Sequence, residues 1–296
     1  MIKPKLIIAF ALLASISSKV NAQQLKADTT TNKQAGKSLF INAGLQYLSD
    51  LTYAGRRDAS SAPVLLPTFT LISTKGFFVS AIGYFDLNGA KSAAEGLSIT
   101  PGYVFSFDKN KEYGGAISAT KYFITDNSPI ILSSFNATVD GQLHFNPGNI
   151  IKLTLDGSYR FGKQGSSNDV INDAELSKEI QLTKAGKDNK GGLKVTPTLT
   201  LYGGTQSFYQ ASTSQTSGAT PLGLLSPPGT VTTQNEVRQY TILALSGSVP
   251  VAYVIKTWQI SFTPYLIQPY HQVNYAGSTP QNGQYFLFTT GVSVTF

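Results

Sequence analysis

Lys152, Asp156 and Arg160 recur every four residues along one short run. Ionisable groups at that spacing line a surface rather than meet in a catalytic cluster. In an extended chain all three point to the same side, each ~13 Å from the next, too far to bond one another. Their partners must come from neighbouring strands, where Asp140, Glu175 and Glu179 are the candidates. Two roles fit such a column: ion pairs that fill and stiffen an interior, or a charged constriction that selects solutes. On this strand two cations face one carboxylate, which predicts a bias toward anions. Asp140, Glu175 and Glu179 weigh against that bias.

Nucleophilic chemistry finds little material. The chain has only 2 His and no Cys. His144 falls on the polar side of its run, and His271 begins a long connection with Ser278 nearby. A triad also needs a group that orients the base, and neither His sits in such a pattern, so no catalytic residue is assigned. The stretch Asp86-Leu87-Asn88-Gly89 with Glu95 hints at a calcium loop, but its Gly comes too early for that spacing. The Gly-Gly pairs at 114–115 and 203–204 lack the Lys-Ser/Thr that completes a phosphate cradle. No metal site and no cofactor follow from the sequence. Arg56 and Arg57, beside Asp58, could grip an anion such as a lipopolysaccharide phosphate through their donor forks. A solvated loop with local pairing explains them more simply.

The elements that position these residues are strands. From 151 to 161, Ile151, Leu153, Leu155, Gly157, Tyr159 and Phe161 alternate with Lys152, Thr154, Asp156, Ser158 and Arg160. Successive side chains of a strand point to opposite faces, so one face is greasy and the other fully polar. Leu193, Val195, Pro197, Leu199 and Leu201 repeat the pattern. So do Phe135, Ala137, Val139, Leu143 and Phe145, then Leu97, Ile99, Pro101, Tyr103 and Phe105, and finally Leu243, Leu245, Val249, Val251 and Tyr253. Helical spacing fits none of them. The runs are roughly 10 to 17 residues, against the ~5–6 usual in soluble sheets. Aromatics gather near their ends, as in the interfacial girdles of transmembrane barrels.

Eleven runs stand out: 38–48, 63–73, 77–86, 96–106, 112–124, 129–145, 149–162, 192–208, 237–253, 258–269 and 285–296. Single-chain bacterial barrels have even counts, and the twelfth strand is placed at 173–184. There Ala174, Leu176, Ile180 and Leu182 form the apolar side, with Lys178 as its misfit. The connections then sort into short turns at one end and mostly long loops at the other, the asymmetry of periplasmic and external sides. The longest, 209–236, is rich in Ser, Thr, Gly and Pro around an apolar island at Leu222–Leu225. The fold class expected is all-β: a transmembrane antiparallel up-and-down β-barrel of about twelve strands over 38–296.

The first 22 residues read as a secretory signal. Lys3 and Lys5 precede an apolar run from Leu6 to Ile16, and Val20-Asn21-Ala22 suits cleavage. Residues 23–37 are polar and read as a flexible periplasmic lead-in. The formal charge is +7; without Lys3, Lys5 and Lys19 the 23 basic residues become 20 against 16 acidic. That mild excess, in an exported chain, excludes nucleic acid as a partner. The last strand places Phe286, Phe288, Val292, Val294 and Phe296 on one face, and Phe296 resembles the terminal aromatic that marks barrels for the outer-membrane assembly machinery.

The stretches Gly44–Asp50, Tyr53–Asp58, Tyr113–Phe123 and Tyr202–Tyr209 resemble a group of uncharacterised outer-membrane β-barrel proteins of Bacteroidetes. The resemblance spans most of the chain after the signal. It implies the barrel fold and the outer membrane, and it brings no catalytic residues and no substrate. The expectation is a channel for small polar solutes in contact with outer-membrane lipid and lipopolysaccharide. A non-conducting barrel that binds a ligand or partner through its external loops is the second reading, and a barrel-embedded hydrolase the third.

Overall fold

The period-two runs fold as strands that pair edge to edge. The computed structural model describes residues 38–54, 56–57, 63–87, 94–125, 135–163, 168–183, 191–216, 229–270 and 283–296. Along the chain come β1 (Leu39–Leu48), β2 (Val64–Ser73), β3 (Phe77–Asp86), β4 (Ala94–Ser106), β5 (Tyr113–Ile124) and β6 (Phe135–Phe145). They are followed by β7 (Lys152–Gly162), β8 (Asp169–Ser177, resuming at Ile180–Thr183) and β9 (Gly192–Val195, resuming at Thr198–Thr216). The last three are β10 (Gly229–Ser248, resuming at Val251–Ile255), β11 (Trp258–Pro269) and β12 (Tyr285–Thr295). Each pairs antiparallel with its sequence neighbours and β12 pairs β1, so among the described residues twelve strands close into one up-and-down barrel. Closure removes the open edges that a sheet cannot leave unsatisfied in lipid.

The seam between first and last strands is made by backbone and side-chain hydrogen bonds. Phe296 N donates to Ile41 O at 2.8 Å, and Ile41 N donates back at 3.3 Å. Asn42 Nδ2 donates to Thr295 Oγ1 at 3.0 Å. At the same end the turns are tight. Gly76 holds φ 96°, and its carbonyl accepts from Val104 N at 2.9 Å. A Cβ there would lie 2.3 Å from the Val104 carbonyl oxygen, so the turn requires glycine. Asp108 closes the next turn by accepting from Tyr113 N at 2.8 Å and Glu112 N at 3.2 Å. Desolvation nudges that carboxyl upward, but backbone donors from Tyr113, Glu112, Asn110 and Lys111 outweigh it and hold it below its ordinary range.

Three neighbouring strands break at one level. Lys178 N donates to Pro197 O, Thr196 N to Pro250 O, and Val249 N to Pro264 O. Proline has no N–H to continue a ladder, so a row of prolines on β9, β10 and β11 interrupts the pairing and bends this wall. Lys178, the misfit of the apolar side, sits at the break, and its Nζ donates to the carbonyl of Asn149 in the turn between β6 and β7. A long amine that reaches a polar end while its stem lies on the greasy face is the usual accommodation.

The outer surface carries apolar residues at mid-height, among them Leu45, Val79, Ile99, Ile117, Val139, Leu155, Leu199, Ile260 and Val292, all exposed. Aromatic rows flank them. At the short-turn end Phe77 and Tyr103 lie 4.7 Å apart between ring centroids, and Tyr113 and Phe145 6.2 Å apart. Near the long-loop end Tyr159 and Phe161 lie 4.9 Å apart. A continuous apolar belt between two aromatic girdles suits a bilayer and would aggregate in water.

One expected loop is largely a ribbon. β9 and β10 stay paired as far as Thr216↔Gly229, well past the 208 and 237 at which the apolar alternation stops. A ribbon clear of the membrane needs only backbone pairing, so the Ser/Thr-rich sequence hid it. The island Leu222–Leu225, residues 1–37 with the signal and lead-in, and His271 with Ser278 lie outside the described residues.

Candidate functional site

The barrel interior is built from the second residue of every pair along each strand. On β7, Leu155 is 42 % exposed on the outside while Arg160 is 0 % exposed within. Thr154 and Ser158 are buried with Arg160, and Lys152 and Asp156 follow the same parity. The expected column therefore faces the lumen. Most of the interior is hydroxyl. Thr70 and Ser80 share a hydrogen bond of 2.8 Å, Thr100 and Thr120 one of 2.9 Å, and Tyr84 and Ser98 one of 3.0 Å. Thr70 and Ser80 meet because directly opposed residues lie close in an antiparallel pair, and Tyr84 reaches Ser98 across the diagonal.

The register decides which charges meet. Asp156 lies opposite Gln142 on β6 and opposite Asp173 on β8, and Gln142 Nε2 donates to Asp156 Oδ1 at 2.8 Å. Arg160 lies opposite Thr138 on one side and Asp169 on the other. Asp140, one diagonal step away, feels the Arg160 charge and accepts from Thr138 Oγ1 at 3.0 Å. Glu175 is buried opposite Thr154 and Thr200. On β6 to β8, Asp140, Asp156, Asp169, Asp173 and Glu175 thus face Lys152 and Arg160. Carboxylates outnumber cations on these three strands, so the excess of cations on β7 does not extend to its neighbours.

Glu179 goes elsewhere. It lies at the break in β8 and pairs with Lys194 Nζ at 3.3 Å, not with the β7 column. Asp169, Asp173 and Lys194 were not among the expected lining residues. Asp169 follows from β8 starting earlier than expected: with Ile171, Asp173 and Glu175 it makes one inward series, whose first two members a start at 173 leaves out. His144 lies opposite Gly114 and Thr154, on the lumen side of the short-turn end. A Cβ on Gly114 would come within 2.8 Å of the His144 ring, so the imidazole packs against bare backbone. Arg56 and Arg57 form one strand of a small ribbon, Arg57 opposite Thr52 and Arg56 opposite Tyr53. The anion contact of their side chains lies outside the described residues.

Two apolar residues are on the other face from the one expected. Strict alternation puts Phe135 and Leu243 outside. A register shift between Phe135 and Ala137 turns Phe135 inward, and one opposite Tyr202 and Gly203 makes Leu243 the extra residue of a bulge. A bulge inserts one residue and re-aims its neighbours. Both side chains join a buried apolar cluster inside the outer end of the lumen, with Leu48, Val64, Leu66, Ile82, Tyr84, Tyr122, Ile124 and Ile171. A second cluster of Ala244, Ile267, Tyr285 and Leu287 lies beside it, with Tyr202 packed against both. The lumen is therefore polar at mid-height and carries an apolar cluster at its outer end, where Asp50 and Asp86 are also buried.

No family model and no curated protein matches this chain. Among solved structures it is similar to the KdgM porin, at 10 % identity and a TM-score of 0.47, over 87 % of this chain and 99 % of that one. The NanC porin is similar at 10 % identity and a TM-score of 0.44, over 86 % and 98 %. An outer-membrane channel from Pseudomonas putida F1 is similar at 12 % identity and a TM-score of 0.45, over the whole of both chains. At these scores they are likenesses only, and the closed barrel stands on its own strand pairings.

Proposed function

We propose that this chain is a bacterial outer-membrane barrel that passes small polar solutes. The contrast across a single wall carries the reading: Leu143 and Leu155 lie outside, Asp156 and Ser158 inside, in one strand pair. A greasy exterior requires lipid, and a closed barrel whose interior is hydroxyl and carboxylate offers polar solutes the contacts they lose on leaving water. The passage is expected to favour cations, because five carboxylates face two cations on β6 to β8. Purified protein in a planar bilayer should conduct in discrete steps, and the same protein should run faster in unheated gels than in boiled ones. A barrel that shifts on heating yet conducts under no condition would sink the channel reading. Recovery from the soluble periplasm without detergent would sink the barrel.

The apolar filling of the outer end favours one alternative, a non-conducting barrel that works through its external side. The β9–β10 ribbon would then supply the binding surface. We read Arg56 and Arg57 as contacts for lipopolysaccharide phosphate. Phe296 is read as the aromatic that the outer-membrane assembly machinery takes up. Substituting Phe296 by Asp should lower the assembled fraction, measured by heat-modifiable migration, far more than substituting Thr295.

A further inference from the structure

We propose that the start of the first external loop, residues 49–54, is a plug that closes the outer mouth of the lumen and leaves it when solute passes. The proposal rests on the channel reading.

External loops ordinarily run through water because their backbone must be solvated. Here Asp50, Leu51, Thr52 and Ala54 are only 5, 3, 6 and 3 % exposed. Leu51 and Ala54 belong to one continuous apolar cluster that includes Val64 and Leu66 on β2 and Ile171 on β8. In a ring of twelve strands β2 and β8 are six apart, on opposite walls. The cluster takes inward residues from β1, β2, β3, β5, β6, β8 and β10, most of the way round the ring, and the buried loop residues pack among them. Asp50, Thr52 and Asp86 are buried with this apolar cluster, so the loop closes the mouth by packing polar and apolar side chains together.

The loop is also built as a unit. Its base is tied to β12 by Ser49 N donating to Phe288 O at 3.0 Å and Phe288 N donating to Ser49 Oγ at 2.9 Å. Above that, Thr52 pairs with Arg57 and Tyr53 with Arg56. Ala54, at the turn, holds φ 48°, a left-handed conformation that L residues rarely adopt. A hydrogen-bonded ribbon on a short stem can swing without unravelling, and its strained turn is held by the apolar seat that surrounds Ala54.

Two measurements on the full chain test this. In planar bilayers Leu51→Asp and Ala54→Asp put a charge into the apolar seat. Either should raise the open fraction at least tenfold over wild type, with heat-modifiable migration confirming the fold. Equal, fully open traces from wild type and both variants overturn the plug and leave the channel standing. Silence from both variants and from a folded barrel with 51–57 replaced by Gly-Ser overturns the channel and the plug together. The second measurement uses the absence of cysteine from the chain. In detergent, Ala54→Cys should react with maleimide at least tenfold more slowly than Lys109→Cys, which sits on an exposed turn. Equal rates overturn the plug.

Discussion

The guanidinium carbon of Arg160 lies 5.4 Å from the centre of the Phe135 ring, inside the barrel and just below its apolar outer end. The cation sits where the interior changes character. Below it are hydroxyls and the carboxylates of Asp140, Asp156 and Asp173; toward the outer end lie Tyr122, Phe135 and the tucked first loop. A desolvated cation over a ring gains ~2 kcal/mol, and Asp140 lies one diagonal step away on β6.

Arg160→Ala should therefore destabilise the barrel strongly, by roughly 3–5 kcal/mol, because it leaves Asp140 buried beside no cation. Adding Asp140→Asn to that variant should recover a large part of the loss. Urea unfolding in detergent, followed by the fluorescence of the single Trp258, measures both. If the double variant is no more stable than Arg160→Ala, the two side chains do not act on each other.

Leu155→Arg and Asp156→Asn test the two faces of β7. The first puts a charge into lipid near mid-height at a cost of ~2–4 kcal/mol and should lower the assembled fraction. The second removes one of two carboxylates that oppose each other, Asp156 and Asp173, and should leave stability unchanged or slightly raised. Gel migration before and after heating decides; the reverse outcome would show the faces exchanged.

The bulge on β10 makes adjacent residues behave differently. Ile242 is 48 % exposed on the outside and Leu243 0 % exposed within. Ile242→Arg should impair insertion. Leu243→Ala should insert normally but unfold more easily, by ~2–5 kcal/mol for a leucine removed from a packed interior. Should Leu243→Arg fail to insert while Ile242→Arg inserts normally, the bulge is misplaced.

Charge selectivity follows from the register. In a barrel opened by Ala54→Asp, the reversal potential across a salt gradient should favour the cation, and Asp156→Asn with Asp173→Asn should weaken that preference. Anion preference in the parent would mean that the constriction lies away from β6 to β8.

Much of this barrel was legible in the chain. Alternation is a local property: Leu153, Leu155 and Tyr159 against Thr154, Asp156 and Ser158 decide faces whatever their neighbours do, because a strand has a period of two. Eleven strands and the polar lumen of β7 followed from that pattern. The even count of closed barrels supplied the twelfth strand and with it the sorting of short turns to one end. What depended on pairing did not. Asp173 opposite Asp156, Glu179 taken by Lys194, and the acidic sign of the wall are matters of register, which no single strand contains. Phe135 and Leu243 read as lipid-facing because a bulge is an offset between two strands. Leu51 and Ala54 looked like loop residues, and only the closed ring of strands gave them an apolar seat to fill.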